Sequence, residues 1–245
     1  MSDRTVVISD VHLGAVPPAQ ETSLIGLLDR LEEIGDRLLI NGDLFDFWFE
    51  YRHAIPRGHL GVLAALRRLA DRGVRVRFLG GNHDAWAGSF FEDEVGVELV
   101  EAPLIERMGG RHAFVAHGDG LGGGDWGYRV LKRITRSPAA RGLFRAVHPD
   151  IGIPLARRAS GTRSKVAAGP DVEQARAARL GEHARRVLER HPAVDLVIFG
   201  HTHRPELTEL APGRLYLNPG DWIHHRSFAV VHDGRVTLSE WDRPG

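Results

Sequence analysis

Five short stretches concentrate the chain's carboxylate, imidazole and amide side chains: Asp10-Val11-His12, Gly42-Asp43, Gly81-Asn82-His83-Asp84, His117-Gly118-Asp119 and Gly200-His201-Thr202-His203. Aspartate, histidine and asparagine are ligands for divalent cations. Their mixture suits Mn(II), Fe(II) or Zn(II) better than Mg(II) or Ca(II), which favour all-oxygen shells. The chain has no cysteine, which excludes thiolate-rich zinc and iron–sulfur sites. Any one stretch alone reads as well as a turn with a satisfied histidine. Five of them, each at the end of an apolar run, read as one site.

Those runs are the elements that must position the ligands. Thr5–Ile8, Arg37–Ile40, Val74–Leu79, Ala113–Ala116 and Val194–Phe199 have the length and apolar content of buried strands. Residues i and i+2 of a strand share a face. An extended chain would therefore let Asp10 with His12, and His201 with His203, present paired ligands at a strand's carboxyl end, where α/β sheets place their chemistry. Glycine beside each cluster lets the backbone turn sharply and approach a cation without a Cβ in the way. Between the motifs, Glu21–Ile34 and Leu60–Ala70 carry leucines at helical spacing and predict crossover helices. Leu215–Leu217, Ser227–Val231 and Arg235–Trp241 predict three further strands around Asn218-Pro219-Gly220-Asp221 and Asp233-Gly234 turns.

The order DxH, GD, GNHD, HGD, GHxH resembles that of the calcineurin-like metallophosphoesterase superfamily, over Ser9 to His203. The resemblance implies an α/β fold, a four-layer α/β/β/α sandwich. It implies one metal held by Asp10, His12 and His203, a second by Asn82, His117 and His201, and Asp43 bridging them. Two metals held about 3.5–4 Å apart clamp the attacking and leaving oxygens of an in-line displacement at phosphorus. His83 resembles the family's catalytic histidine, suited to stabilising charge on phosphorus and protonating the leaving oxygen because its unperturbed pKa is near neutral. Asp84 is expected to orient His83 or to cap the turn that follows it. Asp119 reads either as a partner of the site or as a turn residue.

Length and composition set bounds. A chain of 245 residues with 42% hydrophobic content is able to bury a full α/β core as one domain spanning residues 1–245. The formal net charge is zero, so no global field argues for nucleic acid. The first strand begins within a few residues of Met1, which leaves no room for a signal peptide. No apolar run approaches the roughly 18 residues of a membrane span. The expected location is cytoplasmic.

One segment falls outside that core. Residues 121–169 are glycine-rich at first, then helical in pattern, and too long for an ordinary connection. Ten arginines and lysines between Arg129 and Lys165 are opposed by Asp125 and Asp150, and apolar residues such as Leu143, Phe144, Ile151 and Leu155 make the segment amphipathic. A basic amphipathic insert suits a lid for an anionic amphiphile, or a surface that lies peripherally on acidic lipid. A solvated helical insert is the plainer reading. The loop Asp43-Leu44-Phe45-Asp46-Phe47-Trp48-Phe49-Glu50-Tyr51 adds aromatics that would line an acyl pocket, stack on a base, or fill the core.

Loop, insert and chain length resemble one branch of the superfamily, the UDP-2,3-diacylglucosamine pyrophosphatases of lipid A biosynthesis. The resemblance implies an acylated UDP-sugar substrate cleaved to UMP and 2,3-diacylglucosamine 1-phosphate, with Mn(II) as the usual metal. It implies substrate contacts at Asp125, Ser160, Arg163 and Lys165. The chain departs from the best-known members of the branch at His83, where they carry arginine; the histidine form is the general phosphoesterase pattern. Soluble nucleotides or nucleotide-sugars are the alternative substrates, and a non-catalytic scaffold on the same fold, of the kind a retromer subunit represents, is a third reading. His53, His59, His112, His148, His191, His224, His225 and His232 lie outside the motifs and read as surface or packing residues, with a substrate contact open for His224 and His225.

Overall fold

The computed structural model describes residues 3–121, 137–160 and 170–241. The chain runs β1 (Thr5–Ile8), α1 (Pro18–Asp29), α2 (Leu31–Ile34), β2 (Arg37–Asn41), α3 (Leu60–Asp71), β3 (Arg75–Leu79), a π-helical turn at Phe91–Val95, β4 (Glu98–Val100), β5 (Leu104–Met108) and β6 (Arg111–Val115). It continues through α4 (Pro138–Arg145), α5 (Pro149–Ser160), α6 (Pro170–Arg190), β7 (Leu196–Ile198), β8 (Glu206–Ala211), β9 (Arg214–Asn218), β10 (Ser227–His232) and β11 (Arg235–Glu240).

Among the described residues, eleven strands form two mixed sheets, one of order β11-β10-β1-β2-β3-β4 and one of order β5-β6-β7-β9-β8. In the first, β1 through β4 run parallel and β10 joins β1 antiparallel. In the second, β6, β7 and β9 run parallel.

Side-chain alternation along the strands builds the layers. Val6 and Ile8 point toward α1 and α3, where they pack with Leu24, Leu27, Leu63 and Leu66. Val7, between them, points the other way and meets Val115, Ile198 and Leu217 of the second sheet. On the far side, Phe114, Val197 and Tyr216 pack against Leu180, Ala184 and Leu188 of α6. Helix, sheet, sheet and helix therefore stack in four layers, as expected.

Two details differ from the sequence reading. The helix expected over Glu21–Ile34 starts earlier, with Pro18 at its first turn, and breaks at Arg30, whose φ of −110° and ψ of 12° leave the helical region. Strands β4, β5 and β8 were not anticipated. Each is at most partly buried over most of its length and includes charged residues, because each lies at a sheet edge where one side of the ladder meets water. No helix among the described residues is long and apolar enough to cross a membrane.

Candidate metal centre

All five ligand stretches leave the carboxyl ends of parallel strands, but extended alternation does not aim them. β1 stops at Ile8 and β7 at Ile198. Asp10, His12, Asp43, His201 and His203 all lie beyond their strands at φ between 52° and 68°. A left-handed conformation at a non-glycine residue is uncommon and persists only where the surroundings hold it. Of the seven such residues described, these five belong to the centre. The expected i, i+2 presentation is therefore corrected: the left-handed turns bring each pair together.

What holds the turns is a lattice of main-chain bonds between loops. The amides of Asp10, Val11, His12 and Leu13 donate to the carbonyls of Gly42, Asp43, Asp43 and Leu44 at 2.9–3.1 Å. Gly200 N donates to His117 O at 2.8 Å, His201 N to Asp10 Oδ2 at 2.8 Å, and His83 N to Asp43 Oδ1 at 3.0 Å. The packing is so close that a Cβ on Gly81 would overlap Asp43 Oδ1, and one on Gly200 would overlap Ser9 Oγ. Only glycine fits at either position.

The side chains converge. Asp10, His12 and His203 form one group of mutually close ligand atoms, Asp43, His117 and His201 another, and His12, Asp43 and His83 a third between them, each within 4.8 Å. His12 Nε2 and His203 Nε2 face each other at 3.3 Å, with Asp10 Oδ1 3.5 Å from the latter. Asp43 Oδ2 lies 3.1 Å from His117 Nε2 and 3.8 Å from His12 Nε2, so this single oxygen stands between the two groups. Asp10, His12, Asp43 and His117 are at most 1% exposed.

This donor set fits divalent cations. Asp10 Oδ1, Asn82 Oδ1 and His117 Nε2 are buried with no hydrogen-bond partner, and buried polar atoms are otherwise paired. Two imidazole nitrogens at contact distance beside unpaired carboxylate and amide oxygens have the donor chemistry that a divalent cation takes.

Charge inside the site is strongly polarised. Burial alone would lower the His117 pKa, but the Asp43 carboxylate outweighs it and raises the imidazole to about 10. Asp119, itself buried, adds to that pull. Burial opposes charge on Asp43 as well, yet His117 and His83 hold it well below the usual carboxylate range. Burial pushes Asp10 upward and holds His12 well below the ordinary histidine value.

Each ring has a partner behind it. His117 Nδ1 lies 2.9 Å from Asn41 O, and His83 Nδ1 lies 2.9 Å from Asp46 O. A carbonyl only accepts, so each Nδ1 carries a proton and each Nε2 faces the centre. The expectation that Asp84 orients His83 is corrected by this geometry. Asp84 instead accepts the amides of Gly81 and Asp43 on Oδ1, and of Leu44 and Phe45 on Oδ2. It ties the loop after β3 to the loop after β2, and because all four of these donors precede it in sequence this is not the cap on the following turn either. Burial and the Asp43 charge push its carboxyl up to about 7.

Residues missed in the sequence support the ligands from behind. Ser9 Oγ lies 2.5 Å from Asp10 Oδ2 and 2.8 Å from Asn41 O, with one hydroxyl proton to share between the two acceptors. Asp221, fully buried, lies behind His203. Its signal was readable: Gly220-Asp221 follows the apolar end of β9, as Gly42-Asp43 follows β2. The expected substrate contacts Asp125, Arg163 and Lys165 lie outside the described residues; Ser160 is the last residue of α5, and its side chain also lies outside them.

The aromatic loop divides. Phe45 and Trp48 enter the core against Phe91. Phe47, Phe49 and Tyr51 turn the other way and, with Trp86, surround the ring of Phe144 from α4 at centroid distances of 4.7–6.4 Å.

The calcineurin-like phosphoesterase family model matches residues 3–205. The UDP-2,3-diacylglucosamine hydrolase of Porphyromonas gingivalis is 34% identical, with 98% of each chain covered. That of Aeromonas salmonicida is 31% identical over 98% of this chain and 94% of its own. Among solved structures, Yfce, a phosphoesterase from E. coli, overlays with a TM-score of 0.48 at 15% identity, covering 99% of this chain and 95% of its own. With the matched span enclosing every ligand-bearing loop, the chain belongs to the calcineurin-like phosphoesterase family and is a metal-dependent phosphoric ester hydrolase.

Proposed function

We propose that this hydrolase cleaves the pyrophosphate of UDP-2,3-diacylglucosamine, giving UMP and 2,3-diacylglucosamine 1-phosphate, in a single domain made of residues 1–245. The observation that carries the reading is the aromatic cluster around Phe144, because it joins the loop after Asp43 and the loop after His83 to a helix of the insert. An apolar wall one loop away from the metal ligands suits a substrate with acyl chains near its reacting phosphorus. The names borne by the Porphyromonas and Aeromonas relatives agree with it.

Asp10, His12 and His203 would hold one cation, Asn82, His117 and His201 the other, with Asp43 shared; Mn(II) is the preferred ion, with Fe(II) and Zn(II) as alternatives. The cations supply positive charge to the reacting phosphoryl oxygens and acidify water. The protein's own contribution is positional. Asp43 and the left-handed loops fix the ligands before substrate arrives, so little reorganisation remains for the reaction. His83 is the catalytic acid. Its Nε2 lies 3.9 Å from Asp43 Oδ2 and opens on the shared centre, and as imidazolium it donates its proton to the leaving oxygen. Water oxygen bonds to the UMP phosphorus, the bond to the bridging oxygen breaks, and that oxygen departs on the sugar 1-phosphate.

The insert acts as a lid that also meets the membrane, peripherally at its cytoplasmic face. Leu143, Ile151 and Leu155 on α4 and α5 are 62–75% exposed. A cleft of about 350 Å³ beside α4 is lined by Arg52, Arg141 and Arg145. Asp125, Ser160, Arg163 and Lys165 remain the proposed sugar and phosphate contacts. Anionic vesicles are expected to recruit the protein at low salt and release it at high salt; no binding in either condition would remove the membrane role.

Phosphorus NMR of the Mn(II)-loaded protein tests the activity, with UDP-2,3-diacylglucosamine, UDP-glucosamine and a generic phosphodiester compared. UMP and a sugar 1-phosphate from the acylated compound alone is the expected result. Equal turnover of all three would favour soluble nucleotides, and hydrolysis of none would favour a scaffold.

A further inference from the structure

We infer that Asp221 is a positioning residue for the metal centre: a buried carboxylate that fixes the ring of His203 so that Nε2 meets the cation shared with Asp10 and His12. The inference rests on the metal reading of the centre and is independent of which phosphoester is cleaved.

The case begins with His203 itself. Its side chain is 19% exposed, whereas those of His12 and His117 are 1% exposed. Burial clamps the inner ligands. The ring of His203 lies at the rim, at φ 61°, and packing closes on it from fewer sides. A ligand in that position needs a bond behind it to keep its lone pair aimed. Asp221 Oδ2 lies 3.5 Å from His203 Nδ1, on the ring edge opposite Nε2.

Asp221 is built to hold that place. It is fully buried, and Oδ1 accepts the amides of His224 and His225 and faces His225 Nδ1, all at 3.0 Å. Three donors on one oxygen lock the carboxylate and leave Oδ2 for His203. Trp222 N donates to Asp10 O at 3.2 Å, so the same loop is anchored to another ligand of that cation.

The contrast with the other rings gives the device its meaning. His117 and His83 rest on main-chain carbonyls. His203 faces a carboxylate instead: Asp221 Oδ2, buried and without a hydrogen-bond partner, lies 3.5 Å from its Nδ1, and a carboxylate is a stronger acceptor than a carbonyl, suited to raising ligand basicity as well as fixing the tautomer. A partly exposed ring therefore has a buried carboxylate behind it, where the buried rings of His117 and His83 have carbonyls.

Asp221→Asn tests this with little change of shape. The amide keeps an oxygen for the His224 and His225 amides but turns a donor toward the Nδ1 proton of His203. Mn(II) titration by calorimetry is expected to show one of two sites weakened roughly tenfold to a hundredfold and the other unchanged, with the melting temperature in chelator unaltered. Parent-like affinity at both sites would overturn the inference. In the background of His203→Ala, Asp221→Asn should weaken metal binding no further; additive losses would show that Asp221 does not act through His203. If the Asn variant fails to fold, nitrogen-15 NMR of the parent decides. Protonation of His203 at Nδ1 is expected, and protonation at Nε2 overturns the inference. Failure of the parent to bind two metals would instead remove the metal reading, a result separable from every outcome for Asp221.

Discussion

The floor of the centre and the lid beside it are held by different forces. On the floor, loops after β1, β2, β3, β6 and β7 are laced by main-chain hydrogen bonds, and four ligands are at most 1% exposed. On the lid, α4 and α5 leave Leu143, Ile151 and Leu155 in solvent. The described lid rests on the aromatic ring of Phe144 and on single polar contacts such as Arg141 Nη2 to Ala85 O at 3.0 Å. Main-chain bonds fix distances to tenths of an ångström, as in-line chemistry at phosphorus needs. Aromatic contacts tolerate sliding and reward apolar area. On the proposed function the floor is thus suited to reaction and the lid to choice of substrate, and mutations in each should separate along that line.

Asp43→Asn should give the largest effect, because two of the three groups of mutually close side chains contain that carboxylate. Turnover of acylated substrate and generic phosphodiester should fall together by on the order of a thousandfold, about 4 kcal/mol in the barrier, with metal content measured alongside. A loss confined to the acylated substrate would break the division between floor and lid. His83→Ala comes next. Removal of a general acid typically costs about 10²–10⁴ in kcat, and here KM should hardly move; an unchanged kcat would remove His83 from the chemistry.

Most of the floor was legible in the sequence because its ligands are rare residue types beside glycine at the ends of apolar runs. The seven expected ligands, from Asp10 to His203, leave strands that stand close to where hydrophobic patterning put them. The left-handed turns were not legible. Asp10 and His12 look like alternate residues of a continuing strand, and only contact with the Gly42–Leu44 carbonyls bends them away. Asp84 misled for the same reason. A carboxylate's partner is set by which distant loop folds against it, and sequence neighbours such as His83 say nothing of that. Edge strands β4, β5 and β8 escaped because charge and apolar residues share the same faces, with Glu106 and Glu206 partly buried and Ile105 and Leu207 exposed, so no clean apolar alternation marks them.

Phe144→Ala probes the lid. Its ring meets those of Phe47, Phe49, Tyr51 and Trp86, and aromatic pairs contribute about 0.5–1.5 kcal/mol beyond area burial. For the acylated substrate kcat/KM should fall by a few tens, while the generic diester should stay within about twofold. Equal losses for both would mean that Phe144 supports the floor.

The smallest effect lies at the seam between the two regions. His59 is 4% exposed, with both ring nitrogens unpaired, beneath the loop that follows His12. A Cβ on Gly14 of that loop would lie 3.5 Å from His59 Nε2 and 3.8 Å from Arg157 Nη2 of α5. Burial, and then the Arg157 charge, lower the His59 pKa to about 4, with Glu21 Oε2 3.7 Å away on the Nδ1 side. Between pH 6.5 and 4 the unfolded chain binds a proton at this residue that the folded chain refuses, so stability falls as pH drops through that window. The loss by pH 5 is about 1–2 kcal/mol, a few degrees of melting temperature for a chain of this size. His59→Gln removes the titration, so its melting temperature should fall less steeply than the parent's from pH 7 to pH 5, with metal removed from both. Parallel curves would show that the seam carries no proton-linked strain.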